Sequence, residues 1–87
     1  MDSAPLIACR VLRTMHAPIP ANPSDMLIAW PGHPTMALSV CSADGLRVLT
    51  FRAYPAREIA ELLSRLVAEG TLQPLDAGSV QRLTPKR

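Results

Sequence analysis

The spacing of apolar residues changes once along this chain of 87 residues, close to Tyr54. Before that point apolar residues recur at alternate positions, which is typical of strands whose two faces have different surroundings. After it they recur every three or four positions as far as Gly70, which is typical of one side of a helix. Several strands followed by one helix predict a small α+β domain.

The length and the low charge content limit what such a domain can do. We expect residues 1–87 to form one domain, and a chain of this size buries roughly 60–65% of its unfolded surface in one modest core. Charged residues make up 18% of the sequence, below the usual share of about 25%. Some apolar side chains must therefore lie on the surface. That indicates a protein partner or self-association, or else a monomer with an unusually apolar surface.

Five segments have the alternation or the flanking turn residues of strands. The third and fourth predict a hairpin closed by Ala43-Asp44-Gly45, where Gly45 can adopt a positive φ. In the fourth, Leu49 and Phe51 are expected on one face and Leu46 and Val48 on the other. We predict a small, curved, mostly antiparallel sheet or a partial SH3-like barrel of four to five strands. The segments are residues 6–15, 26–30, 35–42, 46–52 and 79–83.

Residues 55–69 have the pattern of an amphipathic helix. Pro55 is favoured at the first helical position, and Gly70 is the usual left-handed residue after a helix. A helix of this length is not stable alone, so its apolar side must pack on one face or the open end of the sheet. That side consists of Ile59, Leu62, Leu63, Leu66 and Val67.

Residues 6–12 are expected to form an edge strand of the sheet. Natural edges are usually protected by Lys, Pro or bulges, whereas this segment has only Arg10 and the sole lysine of the chain is Lys86. We therefore expect the strand to pair with another chain, either a second copy or a partner. The alternative is that residues 79–83 fold back and cover the edge within one chain.

A stiff loop and a tryptophan mark a candidate contact surface. Residues 16–25 contain three prolines, so this loop should be extended and stiff. A stiff loop loses little conformational entropy when it binds a partner. Trp30 ends an apolar strand; it forms either a recognition surface for an extended peptide or a cap over the open end of a barrel. The candidate partner-binding residues are Trp30, Pro18, Pro20, Leu6, Ala8 and Arg10.

No catalytic, cofactor or metal site is predicted, and we expect the protein not to be an enzyme. His16, His33, Cys9 and Cys41 supply four zinc-type ligands, but no two have the spacing of a ligand pair. Cys41 with His33 is the only nucleophile–base pair that can be built, and a turn separates them. Both cysteines are expected to be ordinary buried thiols, with a disulfide between neighbouring strands as the alternative in an exported chain.

The basic residues give the main competing function. If the arginines in the expected strands shared one face, that face would attract phosphates. They do not keep one strand phase, however, and the net charge of +2 is too small to indicate nucleic acid or a membrane. The three aromatic residues also leave little to stack on bases. The arginines in question are Arg10, Arg13, Arg47, Arg52 and Arg82.

Targeting signals are not recognised in the sequence. No apolar run approaches the about 20 residues that span a membrane, and the first residues lack the pattern of a signal peptide. A cytoplasmic location is therefore expected. Eight of the nine basic residues are arginine, a bias typical of a GC-rich genome, so a bacterium or its phage.

Two segments resemble elements of small phage and prophage accessory proteins with an SH3-like strand arrangement. Residues 22–28 are similar to an element of polar turn, Gly-Asp and apolar strand, with Ser24 where the family usually has Gly. Residues 59–75 are similar to a helix that ends in Ala-x-Gly-x-Leu-Glu-Pro, with Gln73 in the Glu position. The resemblance implies a non-enzymatic assembly or adaptor role and transfers no catalytic residue.

These observations together predict a non-catalytic protein-interaction or assembly module, such as a phage-type structural or adaptor subunit. The expected partner is a protein or a second copy of the chain, with no cofactor and no small-molecule substrate. The alternative is a small nucleic-acid-associated regulator.

Overall fold

A computed structural model describes residues 7–75, in which five strands form one antiparallel sheet with one helix packed against it. The α+β class predicted from the sequence is confirmed. The elements are β1 (Ile7–Val11), β2 (Met26–Trp30), β3 (Thr35–Cys41), β4 (Val48–Pro55), α1 (Ala56–Glu69) and β5 (Leu72–Pro74). The strand order is β4-β3-β2-β1-β5, so over residues 7–75 the sheet is open, with β4 and β5 at its two edges.

The predicted hairpin is formed by β3 and β4, and its turn is closed by Asp44. The Asp44 carboxylate accepts hydrogen bonds from the Ser42 hydroxyl at 2.6 Å and from the Leu46 N–H at 3.0 Å. These bonds, the Ser42 bond foremost, lower the pKa of Asp44 because they stabilise the charged form. Gly45 has a φ of 77°, which explains the glycine in this turn.

A bulge changes the side-chain phase of β4. Val40 lies opposite Thr50, but Cys41 lies opposite Val48, so Leu49 is an extra residue in the ladder. Val48 and Phe51 consequently point to the same face. The prediction that Leu49 and Phe51 share a face and Val48 lies on the other is wrong, because strict alternation does not allow for an inserted residue.

The inner face of the sheet, which is the face that carries α1, holds the hydrophobic core. Ile59 and Leu63 of α1 are buried against it, so the predicted packing of the helix on the strands is confirmed. Gly70 follows the helix with a φ of 85°, as expected of a left-handed end residue. The strand residues of this core include Cys9, Val11, Leu27, Ala29, Met36, Leu38 and Val40.

The proline-containing loop between β1 and β2 covers another part of the inner face. It does not run extended throughout, because Met15 and Ala21 pair through two backbone hydrogen bonds of 2.8 and 3.1 Å. Both side chains, and Ile19 between them, are buried in the core. The loop therefore contributes to folding as well as to the surface.

β1 is an interior strand, which corrects the expectation that residues 6–12 form an edge paired with another chain. β5 lies beside it in antiparallel register, with Cys9 opposite Pro74 and Val11 opposite Leu72. The reason is that α1 crosses the inner face and returns the chain to β1 immediately after Gly70. The alternative cover, residues 79–83, lies outside the described residues, as does Leu6.

Candidate protein-contact surface

The outer face, which is the side of the sheet opposite α1, carries mostly apolar residues around two aromatic rings. Strand register places Trp30 opposite Ala37, and Ile28 opposite Ser39. Ser39 in turn lies opposite Phe51 on β4. Directly paired residues point to the same face of an antiparallel sheet, so side chains from three adjacent strands lie together there.

The two aromatic rings meet over the middle strand of the three. Trp30 and Phe51 make an edge-to-face contact with ring centroids 6.1 Å apart and an interplanar angle of 63°. They come from β2 and β4, which are not neighbours. The small side chains of Ala37 and Ser39 on β3 leave the space in which the rings approach each other, and Ser39 is buried.

Six outer-face residues form what we call the aromatic surface: Trp30, Phe51, Val48, Ile28, Ala37 and Ala53. Despite their mutual contact, the Trp30 side chain is 40% exposed and that of Phe51 is 62% exposed. None of the six residues carries a charged or polar group apart from the indole N–H. Exposed aromatic residues in a charge-free patch are typical of protein contact surfaces.

Arg10 lies on the outer face, yet it is occupied by contacts within the chain. Its guanidinium Nη1 donates hydrogen bonds to the Ser24 carbonyl at 3.0 Å and to the Ala43 carbonyl at 2.9 Å. These two bonds connect the loop before β2 to the turn after β3. Met26 and Cys41, which lie beside Arg10 in the same cross-strand row, are buried. Arg10 thus stabilises the fold at the border of the aromatic surface.

The open edge of β4 adjoins the aromatic surface. The Ala56 N–H donates to the Pro34 carbonyl at 2.8 Å, which fixes the hydrogen-bonding phase between β3 and β4. Because bonded and non-bonded pairs alternate in antiparallel ladders, Phe51 and Ala53 direct their backbone N–H and C=O groups away from β3. No described strand lies on that side of β4.

The structure does not bring the other predicted contact residues to the aromatic surface. Pro18 and Pro20 are exposed, but the Tyr54 hydroxyl donates to the Pro18 carbonyl at 3.1 Å and holds this loop on the inner-face side. Ala8 lies on the outer face and is buried. Of the predicted residues, Trp30 therefore lies in the surface and Arg10 at its border. Sequence reasoning missed Phe51, whose face depends on the bulge.

A groove of about 540 Å³ lies on the inner-face side, between α1 and the ends of β1 and β5. Its lining is apolar apart from the Ser64 hydroxyl and the Cys9 thiol. Burial raises the pKa of Cys9, so at neutral pH the thiol stays protonated and is a poor nucleophile. The groove offers room for an apolar group but no pair of groups for acid–base chemistry.

The residues considered for metal binding or covalent catalysis lie apart. Cys9 is on the inner face and Cys41 on the outer face, and both thiols are free. His33 precedes β3 and Cys41 ends it, a separation of about 25 Å along the strand. Within residues 7–75, no three His, Cys, Asp or Glu side chains are grouped as metal ligands would be.

The strand arginines also lie on different faces. Arg10 pairs with Met26 on the outer face, whereas Arg52 pairs with Leu38, whose side chain is in the inner-face core. Arg82 lies outside the described residues. Arg10 and Arg52 therefore do not combine into one phosphate-binding face.

Comparison of the chain with protein-family models, with curated proteins and with solved structures finds no significant match. In the part of the chain that the structure describes, no helix has the length and apolar character needed to span a membrane. A functional assignment accordingly rests on the geometry of the chain itself.

Proposed function

We propose that this domain is a non-catalytic protein-interaction or assembly module whose contact region is the aromatic surface. The observation that carries the proposal is the pairing of Trp30 with Phe51 in an apolar patch of the outer face, where the charged Arg10 lies at the border with its guanidinium bonded to two backbone carbonyls. Burying such a face releases about 25 cal/mol for each Å² of apolar surface. Large aromatic side chains are also the residues that contribute most to binding in protein interfaces.

The support for this role comes from how the surface is built. Its floor is formed by the hydrogen-bonded strands β2, β3 and β4, and the inner faces of β2 and β3 are packed on the core. The two rings already contact each other in the free domain, which reduces the ordering cost of binding. A structural or adaptor subunit of the phage type, which the resemblance of residues 22–28 and 59–75 implies, would use a surface of this kind.

A selection of random peptides on the immobilised domain tests the proposal. We expect enriched peptides to lose at least about tenfold in affinity for the Phe51→Ser variant, since removal of a central aromatic anchor typically costs more than about 1.4 kcal/mol. Trp30 is the only tryptophan of the chain, so a blue shift of its emission on binding reports that the ligand lies on this surface.

The matched control is Leu46→Ser, because Leu46 is 72% exposed in the turn and lies outside the aromatic surface. It should bind the selected peptides as the unmodified protein does. Peptides that bind Phe51→Ser and the unmodified protein equally, without changing the Trp30 emission, would contradict the proposal.

A further inference from the structure

We propose that the partner of the β4 edge is β4 of a second copy, paired in antiparallel register about a two-fold axis through Phe51. This inference rests on the proposed function and specifies its partner. It would join the five-strand sheets described for residues 7–75 of each copy into one sheet of ten strands. The rings would then form a row of Trp30, Phe51 and the same two residues of the other copy.

Symmetry limits the registers that two copies of β4 can adopt. A two-fold axis that makes identical strands antiparallel neighbours stands perpendicular to the sheet and keeps each face on its own side. Directly paired residues point to the same face. The axis must therefore pass midway between the two copies of one residue, which we call the centre of the pairing, because any other register would pair residues of opposite faces. The regular part of β4 beyond the bulge then offers Thr50, Phe51, Arg52 and Ala53 as centres.

Charge and hydrogen bonding select among these centres. An axis through Arg52 would place two guanidinium groups directly opposite each other, which is destabilising. An axis through Ala53 would place the backbone N–H and C=O groups of Phe51 opposite Pro55 of the other copy, which has no N–H to donate to the Phe51 carbonyl. An axis through Thr50 would place them opposite Leu49, the residue of the bulge.

An axis through Phe51 places no two arginines opposite each other and keeps its central pair clear of both Pro55 and the bulge; the next outward-directed residue, Ala53, then faces Leu49 of the other copy, where the ladder ends. Phe51 then forms a hydrogen-bonded pair with its own copy, using the backbone N–H and C=O groups that point away from β3. Arg52 lies opposite Thr50 of the other copy, so no like charges meet. The pairing extends the aromatic surface without a break across both copies.

The two edges of the sheet explain why such pairing would stop at two copies. β5 has only three residues and includes Pro74, and so short a proline-containing edge resists pairing, whereas the one proline of β4, Pro55, is its last residue and lies beyond the ladder centred on Phe51. β4 has eight residues, no lysine, and exposed apolar side chains on both faces, including Val48, Leu49 and Phe51. With one pairing-competent edge in each described sheet, β4–β4 contact closes the assembly as a dimer.

The expected dimer is weak, because the bulge at Leu49 ends the ladder after a few residues. Contacts of this extent fall in the class of transient interfaces below about 1,200 Å² of total buried surface. Sedimentation equilibrium should therefore be measured at protein concentrations up to about 1 mM.

Charge substitution at Thr50 tests the register directly. Each dimer contains two equivalent Thr50–Arg52 cross-strand pairs, so Thr50→Glu should tighten dimerisation about two- to thirtyfold and Thr50→Lys should weaken it by a similar factor. In an Arg52→Gln background the effect of Thr50→Glu should disappear. Circular dichroism of each variant verifies that the fold is retained.

Cross-linking provides a second readout that does not depend on affinity. In the proposed register Thr50 and Arg52 of the other copy form a non-hydrogen-bonded pair with Cα atoms about 4.5 Å apart, within disulfide reach. An oxidised mixture of Thr50→Cys and Arg52→Cys proteins should therefore form disulfide-linked heterodimers. Each variant alone should cross-link poorly, since the two copies of the same position would be about 8 Å apart.

Three results would overturn the inference. The first is a monomer at about 1 mM for both the unmodified protein and Thr50→Glu. The second is dimerisation that does not respond to charge at Thr50, and the third is cross-linking of Thr50→Cys alone as fast as the mixture. If peptides that depend on Phe51 are nevertheless selected, the protein-interaction role stands and only the second copy as partner is wrong.

Discussion

Ser24 is the one residue among 7–75, other than glycine, whose backbone has a positive φ. Its φ is 80°, in the left-handed region that side chains with a Cβ rarely adopt. It follows Pro23 in a turn closed by a 3.1 Å bond from the Asp25 N–H to the Asn22 carbonyl, and Pro followed by a positive φ is the pattern of a type II turn. The Ser24 carbonyl also accepts a hydrogen bond from the guanidinium of Arg10, which connects this turn to β1.

Replacement of Ser24 by glycine should stabilise the protein. The left-handed conformation costs a residue with a Cβ about 1–2 kcal/mol, and glycine loses part of that gain through its freer unfolded state. We therefore expect Ser24→Gly to raise the free energy of unfolding by about 0.5–1 kcal/mol in denaturant melts. The backbone bonds of this turn do not involve the serine side chain and should persist.

The same substitution within α1 is the control. Ser64 is an exposed helical residue, so Ser64→Gly should lower the free energy of unfolding by about 0.5 kcal/mol. Equal losses at Ser24 and Ser64 would mean that the left-handed conformation at Ser24 is not retained in solution.

At the scale of elements, the sequence predicted those whose signals are local. The end of α1 follows from Gly70, and its start at Ala56 is one residue after the expected Pro55, which instead ends β4 and precedes the first helical residue. The β3–β4 turn follows from Asp44 and Gly45. The bulge at Leu49 has no such local signal, because it arises from how β4 lies against β3. For that reason the sequence indicated Trp30 as a contact residue but did not place Phe51 beside it.

Packing of α1 on the inner face should dominate the stability of this element. Leu63 is 6% exposed and contacts the core of the sheet. Leu63→Ala should lower the free energy of unfolding by about 2–5 kcal/mol, as large-to-small changes in cores do. Leu46→Ala, the same change at a 72% exposed position, should change it by less than about 0.5 kcal/mol. A similar small loss in both variants would show that α1 is not docked as described.

In the whole molecule, the strand pairing that could not be predicted is the one between β1 and β5, which lie far apart in the sequence. Neighbours in the row from β1 to β4 are also neighbours in sequence, whereas β5 pairs with β1 at the other end of the described chain. The three residues of β5 carry too short a pattern to identify a strand, and their place depends on the direction in which α1 crosses the sheet. The expected edge at residues 6–12 was therefore wrong.

This arrangement of strands has a consequence for the order of folding. The β1–β2, β2–β3 and β3–β4 pairs each close a short stretch of chain, whereas joining Leu72 to Val11 closes about sixty residues. Closing a long loop carries the larger entropy cost before any contact compensates it. We therefore expect the four-strand meander to form in the transition state and β5 to dock after it.

Stopped-flow kinetics of two leucine substitutions would show this order. Leu72→Ala should act almost entirely by accelerating unfolding, whereas Leu38→Ala in β3 should slow folding, although both residues are 2% exposed in the folded protein. Equal slowing of folding by both would mean that β5 docks as early as the meander. In the expected case, detachment of β5 is an early event of unfolding, so β1 becomes a second open edge while the rest of the sheet is intact.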